Sequence, residues 1–308
     1  MDKPGILVVP PIPPELRTVL GERFTLVEHA SGAARPGPRV AVITSMGGAD
    51  AALMDELPDL ALLACNGTGL DRIDLAEAAR RGIVVRNTPD EVTDDTADFA
   101  IGLIYATCRR IAEADRFVRA GRWGPERMPP SRRVVGLKVG VVGLGKIGAK
   151  IAARATGAGM VVSYTGPREK AGAPYPYVAD LRRLAEGADV LVLSCPGGAA
   201  TRRIVDGAVL RALGPEGTLI NVSRGEVVDE PALLAALEDG TIAGAGLDVF
   251  DGEPRIDPRF LAIENAVLAP HHAAITPQTR HDIARTLRDA IADFLDGRPV
   301  PDAARGPS

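Results

Sequence analysis

Cysteine and histidine are scarce in this chain of 308 residues, an excess of positive charge is missing, and no apolar run is long. The three cysteines, Cys65, Cys108 and Cys195, stand singly, which excludes a CxxC pair, a zinc-ligand spacing or a disulfide framework; buried thiols are expected. His29 is isolated, while His271, His272 and His281 fall together without a HExxH or Cys-His spacing, so no metal site is expected. With 36 Lys plus Arg against 40 Asp plus Glu, the net charge of −4 offers no basic field to nucleic acid or to an anionic membrane. A small soluble partner is expected instead. No apolar run approaches the roughly 18 residues that span a bilayer. The apolar start Ile6–Pro10 soon meets Glu15 without a small-residue cleavage site, which makes the cytoplasm the expected location.

What is present is enough apolar sequence for two cores: 46% of residues are hydrophobic and 25% charged. Short apolar runs alternate with helical patterns. Ile6–Val9, Phe24–Val27, Val40–Ile43, Leu60–Ala64 and Ile83–Val85 read as buried strands, with helices such as Asp74–Arg81 between them. The rhythm restarts at Val139–Val142 and runs through Met160–Tyr164, Val190–Leu193, Thr218–Val222, Ala245–Val249 and Val267–Leu268. Strand and helix in alternation imply an α/β protein with two doubly wound parallel sheets. A longer helix is expected over roughly Asp94–Ala120, with Phe99, Leu103, Ile104 and Ile111 on its apolar face. A proline-bearing loop over Arg122–Arg133 follows it. A last helix carries Ile283, Leu287, Ile291 and Phe294, and the Gly297–Ser308 tail is expected to fray.

The segment Val139–Gly148 places Gly143, Gly145 and Gly148 directly after a strand and at the opening of a helix. Gly143 permits the tight turn, Gly145 lets backbone approach a pyrophosphate, and Gly148 lets helix and strand pack closely. This is the pattern of dinucleotide binding. The next strand ends, about 20 residues on, where a carboxylate would hold the ribose 2′-hydroxyl of NAD(H). Here stand Thr165 and Gly166, then Arg168 and Lys170, donors suited to a 2′-phosphate. NADP(H) is therefore expected over NAD(H), which stays possible; Arg168 beside Glu169 also reads as a solvated loop residue.

Three more segments put functional groups after predicted strands: Asn221–Asp229 with its Arg-Gly pair, Gly246–Pro254 and Ala269–Thr276. With these, the Asn66–Asp71 loop, the Arg81–Asp98 stretch and the glycine motif, nearly the whole chain resembles the D-isomer-specific 2-hydroxyacid dehydrogenases. That resemblance implies a Rossmann cofactor domain (98–283) inserted in a flavodoxin-like substrate domain (1–97 completed by 284–308), with the active site in the cleft. It implies a catalytic set of Arg224, Glu253 and His271. Arg224 would hold the substrate carboxylate and polarise the carbonyl through its fork of donors. His271 would donate a proton on reduction and accept it on oxidation, with Glu253 stabilising the imidazolium. Adjacent His272 competes for that role, and His271 is preferred because it follows proline.

The resemblance further implies that Asn66, Gly67, Thr68 and Gly69 receive the substrate carboxylate, and that Met46 and Gly47 lie at the substrate mouth, where an ordinary turn would look the same. Around the glycines, Leu144, Lys146 and Ile147 join the cofactor contacts. Val92, Thr96 and Asp248 are assigned near the nicotinamide, Cys195, Pro196 and Thr201 near ribose and phosphates, and Val222 to the cofactor contacts without a finer place. Packing, capping or a structural acid at a strand end would explain the same residue types. The expected activity is reduction of a small 2-keto acid such as glyoxylate or hydroxypyruvate, in a homodimer. A bulkier substrate (hydroxyphenylpyruvate, a sugar-derived keto acid, or one of phosphoglycerate type) is an alternative within the class, and a dinucleotide-sensing corepressor one outside it.

Overall fold

A computed structural model describes residues 3–30 and 37–303. It divides into two units, Met1–Val92 with Ile275–Ser308, and Thr93–Ala274. These divisions fall a few residues before the expected ones. Among the described residues no helix is long and apolar enough to cross a membrane.

In the first unit five strands, β1 (Gly5–Val8), β2 (Thr25–Glu28), β3 (Val40–Thr44), β4 (Leu62–Asn66) and β5 (Val84–Arg86), pair in parallel in the order β2-β1-β3-β4-β5. That is the flavodoxin-like order. Helices α1 (Pro14–Gly21), α2 (Ala51–Glu56) and α3 (Leu75–Arg81) join them. Their starts and stops are local chemistry. Asp50 and Asp74 accept the amides of Leu53 and Glu77 at 2.9 Å each, and α3 ends on Gly82 at φ 69°. Leu7, Ile43, Leu63 and Val85 pack against Met54, Leu57 and Ala78 in one core.

The second unit opens with α4 (Thr93–Cys108) and α5 (Ile111–Arg119) rather than the single expected helix. Arg110 stands between them at φ 52°, a left-handed residue that breaks the hydrogen-bond ladder, and its guanidinium grips Glu113 at 2.6 and 2.7 Å. Ile111, expected on the apolar face, is consequently turned outward and 53% exposed. There follow β6 (Lys138–Val142), α6 (Lys146–Gly157), β7 (Val161–Thr165), α7 (Leu181–Glu186), β8 (Val190–Leu193) and α8 (Gly207–Leu213). The chain continues through β9 (Thr218–Asn221), α9 (Glu230–Glu238), β10 (Gly244–Leu247) and β11 (Ala266–Leu268), then returns to the first unit as α10 (Pro277–Leu295).

The six strands of this unit are parallel in the order β11-β10-β9-β8-β6-β7, and a bridge from Tyr164 to Tyr177 adds a vestigial edge beyond β7. Both faces are apolar because alternate residues serve opposite cores. Val190, Val192 and Ile220 pack toward α4 and α6, whereas Leu191, Leu193 and Leu219 pack toward α7, α8 and α9. The expected fraying after Gly297 does not hold up to residue 303: Asp302 accepts the Val85 amide at 3.0 Å, fixing the chain to β5. Residues 304–308 lie outside the described part.

Candidate active site

In a parallel sheet, ligands collect at the carboxyl ends of the strands, at the point where the winding direction reverses. In the second unit that point lies between β6 and β8. A Cβ on Gly143, which sits at φ 93°, would come within 2.8 Å of the Cys195 Cα in the loop after β8. One on Gly148 would lie 2.0 Å from the Gly143 carbonyl oxygen, so only glycine lets α6 close on the turn. Gly145 differs: nothing stands within 4 Å of the place its Cβ would occupy, at the open N-terminus of the twelve-residue α6 that Lys146, Ile147 and Gly148 begin. Two glycines thus serve packing and the third leaves an approach, which fits a dinucleotide pyrophosphate at a helix N-terminus.

The remaining cofactor candidates divide. Leu144 packs partly buried beside the α4–α6 core, and Val222, Thr96 and Val92 are buried. Cys195 is 8% exposed, and burial pushes its thiol up to about 11, so the sulfur is an uncharged packing atom. Pro196 is exposed. Thr201 turns its hydroxyl back to the Pro196 carbonyl at 2.7 Å, closing its own loop. The buried Thr165 hydroxyl faces the Ala179 carbonyl at 3.5 Å, and its own carbonyl accepts the Gly143 amide. Arg168 is exposed and makes no ion pair with Glu169 or any other described residue.

The loops after β9, β10 and β11 carry Arg224, Glu253 and His271. His271 Nδ1 lies 2.9 Å from Glu253 Oε1, in a pair whose side chains are 34% and 11% exposed. His272 does not share this arrangement: its ring stands edge-on to Phe99 at 6.4 Å between centroids. Its main-chain N–H donates to Asp248. Arg224 is fixed at the backbone, its carbonyl accepting from the Asn221 amide nitrogen at 3.0 Å, while its Nη1 donates to the Ser223 carbonyl at 2.8 Å.

Two supporting residues escaped the sequence reading. A Cβ on Gly225 would fall 1.9 Å from the Phe250 carbonyl carbon, so the Arg-Gly pair is what lets the loop after β9 lie against the loop that carries Glu253. Glu230 accepts the Asp251 amide at 2.8 Å and braces the same loop, with burial pushing its carboxyl up. The signal for Gly225 was its place directly after Arg224; nothing in the sequence marked Glu230.

In the first unit, the loops after β3, β4 and β5 are tied together. Gly47 N–H donates to the Thr44 hydroxyl at 3.0 Å, and the Met46 carbonyl accepts from Arg72. Asn66 receives the Ser45 amide through its carbonyl. Gly67 N–H is already given to the Thr88 hydroxyl at 3.0 Å, whereas the Thr68 and Gly69 N–H groups make no hydrogen bond among the described residues. Those two amides are the ones open to an anion.

Comparison with known proteins agrees with this geometry. Residues 101–273 match the family model described as D-isomer specific 2-hydroxyacid dehydrogenase, NAD binding domain. The chain is 42% identical to the 2-ketogluconate reductase of Gluconobacter oxydans over 299 residues, 96% of each chain. It is 39% identical to the glyoxylate/hydroxypyruvate reductase A of Arabidopsis thaliana, covering 97% of this chain and 98% of that one. Among solved structures, the NADPH-dependent glyoxylate/hydroxypyruvate reductase of Sinorhizobium meliloti, in complex with NADP and malonate, superposes with a TM-score of 0.92 at 38% identity over 98% of each chain. By its fold, its glycine turn and these relatives, the chain belongs to the family of D-isomer-specific 2-hydroxyacid dehydrogenases.

Proposed function

We propose that this oxidoreductase reduces small 2-keto acids, glyoxylate and hydroxypyruvate foremost, with NADPH, forming the D-2-hydroxy acid where the product is chiral. The observation that carries the reading is the His271–Glu253 pair at 2.9 Å, on the same sheet edge as a glycine turn suited to a dinucleotide. When bound, the reduced nicotinamide supplies the hydride. His271 uses Nδ1 toward Glu253, which leaves Nε2 to give the proton to the carbonyl oxygen. Arg224 holds and polarises the keto acid with its fork of donors.

Exposed Arg168, without an ion pair among the described residues and after a strand end that lacks a carboxylate, supports NADPH over NADH. The Sinorhizobium meliloti and Arabidopsis thaliana relatives support the small substrates. The Gluconobacter oxydans relative keeps a sugar-derived keto acid as the second reading. Initial rates of NADPH and NADH oxidation with glyoxylate, hydroxypyruvate, 2-ketogluconate and hydroxyphenylpyruvate separate these. Fastest turnover with NADPH and the two small acids is expected; a preference for 2-ketogluconate moves the enzyme to the second reading. The proposal includes a homodimer, supported by the exposed apolar Ile111, Val118 and Trp123, and a reducing, cytoplasmic location, supported by three buried free thiols.

A further inference from the structure

Three consecutive backbone amides converge on one residue. His271 N–H donates to the Asp248 carbonyl at 2.8 Å, His272 N–H to Asp248 Oδ1 at 2.6 Å, and Ala273 N–H to Asp248 Oδ2 at 3.0 Å. Asp248 is only 1% exposed, and its own N–H donates to the Asn221 carbonyl at 3.0 Å, which anchors the cluster to the end of β9. Within this clasp His271 sits at φ 53°. A non-glycine residue holds that left-handed conformation only where its surroundings over-determine it. The backbone conformation sets the direction in which the imidazole leaves the chain, and hence whether Nδ1 meets Glu253.

We infer that Asp248 is a positioning residue for proton transfer: by accepting the amides of His272 and Ala273 it holds His271 in the left-handed turn that aims its ring at Glu253. This rests on the reading of His271 as the proton donor. The role differs from the contact to the nicotinamide carboxamide that the family resemblance implies. Both carboxylate oxygens are already engaged by backbone donors, and such charge-assisted bonds are the strong ones. The arrangement carries a cost, because burial pushes the Asp248 carboxyl up against the pull of the two amides and of His271. A buried acid of this kind that also clasps a catalytic loop has a task beyond filling space.

Asp248→Asn tests the assignment, since asparagine presents one acceptor and one NH2 group to two amide donors. In the full-length enzyme, kcat with glyoxylate is expected to fall roughly 10- to 100-fold while the Kd for NADPH, read by fluorescence titration, changes less than about threefold. In a His271→Gln background the same substitution is expected to lower kcat by less than about threefold, because the group it positions is already gone. A tenfold weaker NADPH Kd with kcat retained overturns the inference in favour of the carboxamide contact. Independent, multiplying effects of the two substitutions overturn it as well. Full kcat in His271→Gln alone removes the proton-donor reading, and the inference with it. Asp248→Ser, smaller and uncharged, reads the same split if the asparagine variant does not fold.

Discussion

His271 and Glu253 lie 18 residues apart in the chain, yet Nδ1 of the one is 2.9 Å from Oε1 of the other. The loops after β10 and β11 bring them together, and these strands are hydrogen-bonded neighbours in register from Ala245 with Ala266 to Leu247 with Leu268. Glu253→Gln keeps the shape of the pair and removes its charge. General acid–base catalysis contributes typically about 100- to 10,000-fold, so a loss of roughly 10- to 100-fold in kcat is expected when the proton donor keeps its place but loses its counter-charge. Steady-state rates in both directions check this, and an unchanged kcat would show that the carboxylate has no part in the reaction.

The glycines of the turn make opposite predictions. Gly148→Ala drives a methyl to 2.0 Å from the Gly143 carbonyl oxygen, and overpacking of this kind costs about 1–3 kcal/mol, so a lower Tm is expected. Gly145→Ala meets nothing within 4 Å in the protein. It should leave Tm almost unchanged and weaken NADPH binding, because the added methyl occupies the approach itself. Thermal melts beside binding titrations separate the two; equal losses of Tm would contradict the assignment of different tasks.

Arg168 is expected to discriminate between cofactors. One hydrogen bond to a charged group is worth about 1.5–3 kcal/mol, so Arg168→Ala should raise the KM for NADPH roughly 10- to 100-fold and leave that for NADH within about twofold. Equal KM values for NADPH in the two proteins would remove Arg168 from the phosphate site.

Ile111 and Val118, both 53% exposed, stand seven positions apart on α5, and Trp123 beyond it is 71% exposed. Replacing both aliphatic residues by Asp should shift a dimer toward monomer in sedimentation velocity. A native protein that sediments as a monomer would instead leave this apolar surface without the proposed role.

Much of the fold was legible because short continuous apolar runs and an aspartate ahead of a helix are local signals, as at Val190–Leu193 in β8 and Asp74 before α3. The glycine turn was legible for the same reason. The break at Arg110 was not, since no glycine or proline marks it and a left-handed arginine is rare enough that a helical pattern gives no warning of it. In the site, the family resemblance pointed to Arg224, Glu253 and His271 and to the meeting of the last two, whereas the residues alone did not, because that closeness is a property of the sheet register rather than of any spacing. Glu230 and the clasp around Asp248 were hidden because they act on backbone amides of distant residues, and backbone atoms leave no trace in composition.

The central claim is that reduction takes its proton from the ring paired with Glu253. Its most direct test is a single-turnover measurement of NADPH oxidation with saturating glyoxylate in the native enzyme and in His271→Gln. The account predicts that the variant binds NADPH with near-native affinity and oxidises it about 100-fold or more slowly. A native rate of single-turnover oxidation in His271→Gln would contradict it.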